Sequence, residues 1–459
     1  MNDLTRAALH LRAEPAAARR AAFACMVTLA VALGVGRFAF TPLLPLMLKS
    51  GVLDIRQGGW LASANYAGYF VGALSCAALR VDAARVVRGG LCATALLVLA
   101  MGVVDDIGEW CAVRFVAGIA SAWTFVFASQ WGLRRLAELG ESAWGGLVYT
   151  GPGFGIVGTG LFVSIAGGYG ATAGWIGFGI VSAVLTALVW RVFAPATRGI
   201  TGAATRGTAT GGAATRQATR TPTINTDRTR TATAPPILRP TAPTADSRGS
   251  SQQAAARTTQ SAPERANLAV AVDRHAHRAD AWWLIILYGI PGFGYIITAT
   301  FLPVIARAAL PGSVWPDLFW PMFGVALMVG VLAGARLPAH WDNRTLLAAC
   351  YVLQALGIAS GIVWPSAGGF ALGSVLIGLP FTAITLFAMR EARRLHGNDA
   401  AGLMGFATAA YGLGQIVGPL IAAPIAARTG SFSIALWLAA GALLAGAAGL
   451  IAVAVARPR

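Results

Sequence analysis

Gly34 to Pro45 reads GVGRFAFTPLLP, and 258 residues further on Gly292 to Pro303 reads GFGYIITATFLP. Gly34, Gly36, Leu44 and Pro45 fall on Gly292, Gly294, Leu302 and Pro303, and Arg37 falls on Tyr295. The correspondence continues. Gly132–Leu136 (GLRRL) falls on Glu391–Leu395 (EARRL), and Gly146, Gly153 and Gly155 fall on Gly405, Gly412 and Gly414. Asp82 falls near Asp342, each followed by an arginine, Arg85 and Arg344. Four matches in order at nearly constant spacing make the chain a tandem repeat of two similar halves.

Each repeat unit is mostly apolar. Of 459 residues 56% are hydrophobic and 12% charged, with mean hydropathy +0.65. A soluble domain carries about twice that charge, so lipid is the main solvent. Spans of about 20 apolar residues are expected near 21–48, 58–79, 86–104, 109–132, 143–168 and 171–194. After a polar gap they recur near 281–306, 317–338, 344–364, 367–389, 400–426 and 431–456. Backbone groups in lipid must pair within their own segment, so each is predicted as a helix and the class is an all-α integral membrane protein. Arg19 and Arg20 precede a first run that lacks a cleavage site and is followed by more spans, so it reads as an uncleaved helix.

Arginine sets the topology. Alternate loops carry Arg6, Arg12, Arg19 and Arg20, then Arg80, Arg85 and Arg88, then Arg134 and Arg135. The series resumes with Arg336 and Arg344, with Arg390, Arg393 and Arg394, and with Arg457 and Arg459. The opposite loops hold only Lys49, Arg56, Arg307 and Arg428, beside Asp54, Asp105, Asp106, Glu109 and Asp317. By the positive-inside rule, both termini and the central stretch face the cytoplasm of a bacterial inner-membrane protein. The alternation requires an even number of spans, twelve.

The central stretch 195–280 is rich in Thr, Ala, Arg, Gly and Pro, with near-repeats such as Ala203–Arg206 and Ala213–Arg216. It cannot bury a core and reads as a disordered cytoplasmic linker. The expected domains are therefore a six-helix bundle at 1–194, the linker at 195–280 and a second bundle at 281–459. The net charge of +17 is split into short clusters, without the continuous basic face that nucleic acid needs. Cys25, Cys76, Cys92, Cys111 and Cys350 are scattered through apolar runs, which predicts no disulfide and no metal site. No cofactor is implied: GFGIVG (Gly153–Gly158) matches a dinucleotide fingerprint but lies inside an apolar span with no strand before it.

Two parallel six-span halves with a long joint are the architecture of the major facilitator superfamily. Particular segments are sharper. GRFAFTPLLPLM (Gly36–Met47), GWLASANYAGYFVGAL (Gly59–Leu74), RFVAGIASAW (Arg114–Trp123), GFGYIITATFLP and YGLGQIVGPL (Tyr411–Leu420) resemble the YbfB/YjiJ family of that superfamily. The resemblance spans both halves but not the linker. It implies a secondary transporter with a central cavity opening to each side in turn.

Arg37 lies near mid-span, where a cation costs about 3 kcal/mol or more and must face a cavity or a partner. Its guanidinium suits a carboxylate or phosphate; the alternative is a structural arginine bonded to helix carbonyls or a polar neighbour. Arg114, with Gly118, resembles the fourth-helix arginine motif of superfamily antiporters, which implies a role in proton movement; the alternative is that it snorkels to the outer interface. Asn65, Tyr66, Tyr69, Tyr149, Tyr288, Tyr295, Thr298, Tyr411 and Gln415 are further candidates for lining the substrate path. Asp82–Arg85 and Asp342–Arg344 resemble degraded forms of the superfamily's gating loops, with plain topology-setting charge as the other reading. Gly34, Gly36, Gly151, Pro152, Gly155, Gly292, Gly294, Gly412, Gly414, Gly418 and Pro419 predict tight helix packing, with the fifth and eleventh helices meeting between the halves.

No Asp, Glu or His falls deep inside any of these spans. Buried arginines without buried acids point to an organic anion as substrate. Efflux of drug-like amphiphiles is the second reading, and a non-transporting membrane sensor or scaffold the third. No nucleophile, acid pair or metal set suggests an enzyme. The partners implied are the lipid bilayer and a small-molecule substrate, with no protein partner.

Overall fold

The structure, a computed structural model, describes residues 3–76, 78–193, 261–338, 340–396 and 400–456, without the side chains of residues up to 14, 261–280 and 401. Most of the linker expected at 195–280 lies outside this set. The described residues up to 193 and from 275 onward cluster as one compact unit.

The described residues form helices and no strand. In the first half these are α1 (Asp3–Leu29), α2 (Phe40–Lys49), α3 (Ile55–Ser75), α4 (Ala83–Ala100), α5 (Ile107–Glu138), α6 (Gly145–Val148), α7 (Gly151–Ala166) and α8 (Gly170–Val189). In the second half they are α9 (Ser261–Ala309), α10 (Pro316–Arg336), α11 (Asn343–Val363), α12 (Ala367–Gly378), α13 (Phe381–His396), α14 (Ala400–Thr429) and α15 (Ser433–Ala456).

Among the described residues, ten helical stretches are long and apolar enough to cross a membrane, against the twelve expected. The difference has two sources. The stretch Ser142–Val189 runs 48 residues but folds back at Gly170, whose φ of 85° only glycine adopts freely. The Phe162 and Phe178 rings, eight residues either side of that turn, pack 4.8 Å apart. The other source is α3, which has 21 residues but carries Arg56, Gln57, Asn65 and Tyr66.

The first span is not the continuous helix that its apolar run predicts. Its α-helical bonding gives way to a π-helix over Ala30–Val35 and to turns at Gly36–Ala39 before α2 resumes. The break coincides with a close approach of two backbones. A Cβ on Gly34 would lie 2.4 Å from the Gly155 Cα, so the two backbones touch where the span changes its winding.

The repeat is visible in this packing. Gly34 meets Gly155 in the first half, and in the second their counterparts make the matching contacts: Gly292 meets the Tyr411 backbone and Gly414 meets Gly289. Gly151 also packs on this first span, Gly36 on Ala32 and Thr94, Gly294 on Leu443, and Gly418 on Ile296. These contacts lie within a half, which corrects the expectation that the glycines of the fifth and eleventh helices mainly serve the junction. At the junction Gly153 meets Gly324 and Met328, Gly160 meets Pro321, Gly412 meets the Phe70 ring, and Gly59 meets Pro419 and Ala423. Pro152 is buried in the first turn of α7.

Candidate functional site

The break in the first span places Arg37 at the junction of the halves, 5% exposed. Its Nη2 donates to Gln415 Oε1 on α14 at 2.7 Å. Its guanidinium carbon lies 4.3 Å from the ring centre of Tyr69, 5.0 Å from Tyr66 and 5.3 Å from Phe38. Its Nε is buried and has no hydrogen-bond partner among the described residues. Stacking on rings offsets part of the desolvation of the cation, but no Asp or Glu among the described residues pairs with it.

The relay continues into the second half. Gln415 Nε2 donates to the Tyr295 hydroxyl. Tyr411 packs nearly parallel to both Tyr295 (5.9 Å, 22°) and Tyr288 (5.0 Å, 23°). The Tyr288 hydroxyl donates to Thr385 Oγ1, and Phe381 meets the Tyr295 ring edge-on. Other bonds tie the halves nearby: Thr41 Oγ1 to Ala299 O, Ser63 Oγ to Ile416 O, and Tyr66 with Thr300. Thr41 and Ala299 are repeat counterparts, so each half meets its own image there.

Arg114 does not snorkel to an interface. It is 1% exposed and donates through Nη1 to Gly36 O (3.3 Å) and through Nη2 to Arg37 O (3.2 Å). Where the helix breaks, these carbonyls have lost their usual partners, and in lipid such groups must be satisfied locally. Arg114 supplies that pairing and so holds the segment that presents Arg37. Asn65 supports it in turn, donating to Arg114 O at 2.9 Å.

The structure thus brings together Arg37, Tyr66, Tyr69, Tyr288, Tyr295, Tyr411 and Gln415, with Arg114 and Asn65 behind Arg37. Two expected candidates lie elsewhere. Thr298 faces a narrow space inside the second half, lined by Leu302, Gly357, Phe370 and Ser374. Tyr149 sits between α6 and α7 against Phe125, in the apolar cluster that includes Ala22 and Val87.

The paired loops also diverge from their expected symmetry. Asp342 and Arg344 pair at 3.0 Å with Arg344 largely buried, whereas Asp82 and Arg85 lie 3.7 Å apart and open to solvent. Glu391 lies just past the span expected at 367–389, and it is a buried acid that the reading of the spans did not single out. It is 2% exposed because α13 continues past the apolar run and carries Glu391 inward. Arg394 binds it through two nitrogens, at 2.6 and 3.0 Å, and Asn343 donates to it at 3.1 Å. The signal was present in the alignment of EARRL with GLRRL, where a lone acid precedes two arginines at the end of an apolar run.

The family model described as "Uncharacterised MFS-type transporter YbfB" matches residues 29–222 and 254–452. The chain belongs to this family. No curated protein matches it by sequence. Among solved structures, one of a single-residue variant of the nucleoside transporter NupG is similar, with TM-score 0.66 and 13% identity, covering 94% of this chain and 99% of that one. A second NupG structure gives TM-score 0.62 and 11% identity, covering 95% and 98%. At this identity the likeness speaks to the fold alone. As a member of an MFS-type transporter family, the chain is a multi-pass membrane protein built for transmembrane transport, with the bilayer and a small molecule as its partners.

Proposed function

We propose that the chain is a secondary transporter that carries a small organic anion across a bacterial inner membrane by alternating access. In this reading it has twelve crossings: the stretch 142–189 divides at Gly170 and α3 is counted. They form bundles at 1–194 and 281–459 joined by the 195–280 linker, with both termini cytoplasmic. The observation that carries the substrate class is Arg37. It is a cation buried at the meeting point of two repeat units; among the described residues its partners are neutral groups and its Nε has none. Arg114 adds a second positive charge behind it. A cation in such a place attracts an anion, and a carboxylate there would make charge-assisted hydrogen bonds.

The bonds between the halves support an inward-facing arrangement. Among the described residues they run from mid-span to the Asp54 end: Arg37–Gln415, Tyr66–Thr300, Ser63–Ile416, Thr41–Ala299 and Ser164–Asp317. With the arginine-rich loops in the cytoplasm, the outer side is the tied one. Asp342–Arg344, with Glu391, and Asp82–Arg85 then stand at the cytoplasmic gate.

The test is ligand-induced thermal stabilisation of the detergent-purified protein by carboxylates and phosphates, set against organic cations and neutral amphiphiles. Stabilisation by anions is expected, with apparent affinity about tenfold or more weaker in Arg37→Gln. Arg37→Lys keeps the charge and is expected to fall between. Stabilisation by cations or neutral compounds alone, unchanged in Arg37→Gln, would overturn the anion reading and favour efflux of amphiphiles.

A further inference from the structure

Five of the eight tyrosines in the chain are placed around Arg37 (Tyr66 and Tyr69) or along the path that leads from it through Gln415 (Tyr295, then Tyr411 and Tyr288). A site that only bound a compact anion would need donors to its oxygens and little else. Here the polar part is small, one guanidinium and one amide, and the aromatic part is large.

The arrangement has a definite geometry. Tyr288 and Tyr295 are seven residues apart, which places them on one face of α9. Tyr411 reaches across both from α14, within 23° and 22° of their planes. The three rings form a platform on the second half. Tyr288 and Tyr295 are buried, and Tyr411 is the member that keeps open surface. On the first half Tyr66 is buried and Tyr69 is the ring that keeps open surface, with the Arg37 guanidinium against it.

Tyr411 and Tyr69 occupy the same level. Tyr411 precedes Gln415 by four residues, so it lies one helical turn, about 5–6 Å, along the same face of α14. Tyr69 lies one turn beyond Tyr66 on α3. The Phe70 ring comes within 3.0 Å of where a Gly412 Cβ would stand, which brings α3 and α14 face to face at that level. Both partly open rings pack on buried residues of the junction, Tyr69 on Arg37 and Tyr411 on Tyr288 and Tyr295.

Gln415 holds only one nitrogen of Arg37. Nε, beside Nη2 on the same edge of the guanidinium, has no partner among the described residues. A carboxylate taking that edge in bidentate fashion displaces the Gln415 oxygen. A group attached to the carboxylate then extends along α14 toward Tyr411 and across from Tyr69. The span of one turn matches a single six-membered ring.

Resting on the anion-site reading of Arg37, we propose that the substrate is a planar, aromatic or conjugated carboxylate. Its carboxylate replaces Gln415 on Arg37, and its ring lies between Tyr69 and Tyr411. Flat rings gain from offset or edge contacts with tyrosine beyond their area burial, and a saturated ring of the same size does not.

The experiment compares benzoate with cyclohexanecarboxylate and benzamide, by equilibrium binding to the detergent-purified full chain. Benzoate and cyclohexanecarboxylate share charge and ring size, and the saturated ring is the more hydrophobic, so greasiness alone favours it. The expected result is that benzoate binds about three- to tenfold more tightly than cyclohexanecarboxylate. That preference should collapse in Tyr411→Leu and Tyr69→Leu and persist in Tyr411→Phe, which keeps the ring. Benzamide should bind much more weakly, and Arg37→Gln should weaken benzoate most. Equal binding of the two carboxylates, both lost in Arg37→Gln, overturns the ring proposal and leaves the anion site standing. Benzamide binding as tightly as benzoate, with neither affected by Arg37→Gln, overturns the anion site on which the proposal rests. Failure of folded native protein to bind benzoate counts against the proposal itself.

Discussion

Asp82 and Asp342 are repeat counterparts and do the same local work: each caps a helix, Asp82 accepting from Ala84 N and Asp342 from Arg344 N. Beyond the cap the halves part. In the second half Arg344 turns inward, bonds Asp342 and the Val453 carbonyl, and comes within 4.0 Å of Glu391, which Arg394 also grips. In the first half Arg85 is 80% exposed, and Arg134 and Arg135 meet Glu138 at the surface. The position that corresponds to Glu391 is Gly132, packed against Cys25. One acid makes the difference. A buried carboxylate recruits nearby arginines out of water, and without it they stay solvated. The two halves therefore share a backbone plan but differ in what holds their ends: buried ion pairs in the second half, solvent-exposed pairs in the first.

The largest effect is expected from breaking the buried cluster. Glu391→Ala leaves Arg344 underground with one counter-charge fewer, at a cost of about 3–5 kcal/mol. Thermal unfolding in detergent reads this, and a melt no lower than that of a surface substitution would sink the claim that the cluster stabilises the second half. Next come the crossings that the halves share. Gly34→Ala and Gly292→Ala each drive a methyl into backbone, toward Gly155 and the Tyr411 carbonyl. Each should destabilise by about 1–3 kcal/mol, and a large inequality between them would show that the repeat's packing is less symmetric than its geometry.

Gly132→Glu asks whether a single position accounts for the asymmetry. Its Cβ would stand 2.7 Å from Cys25 Sγ, so a net loss of about 1–2 kcal/mol is expected from crowding. The loss should shrink when Cys25→Ala makes room. If Gly132→Glu alone raised the melting temperature, acid placement would outweigh packing and the first half would be primed for the same cluster. Asp82→Asn should do least. Asn still caps α4, and the exposed pair with Arg85 contributes little. A change within about 0.5 kcal/mol is expected, and a drop approaching that of Glu391→Ala would erase the contrast between the halves.

Much of this was legible in the residues. The apolar runs and their arginine-flanked ends specify a helical membrane protein, because lipid leaves the backbone no other way to pair. The alignment of GVGRFAFTPLLP with GFGYIITATFLP specifies two similar halves, and the equivalent contacts of Gly34 and Gly292 follow from it. Arg37 stood out because an isolated mid-span cation is costly. Other features were not legible. Thr298 and Tyr295 are three residues apart on one helix, yet Tyr295 joins Arg37's relay and Thr298 looks into its own half. Helical spacing fixes their relative angle but not which direction is the junction. Arg114 looked like a functional or interfacial charge because its partners are carbonyls freed by a break 77 residues away in the chain, and apolar periodicity does not register a change of winding.

The sequence by itself determined the solvent, the helical class, the two-fold internal repeat and the identity of the one charge that most needs an explanation. These depend on composition and local pairing rules, which act residue by residue. Only the tertiary structure decided that Gln415 meets Arg37, that Tyr69 stacks on Arg37 while Tyr411 stacks on Tyr288 and Tyr295, and that Glu391 is buried while its counterpart is a packed glycine. Each depends on which helix faces rest against one another. That is set by small residues meeting across hundreds of positions of chain, where one missing methyl group decides how closely two backbones approach.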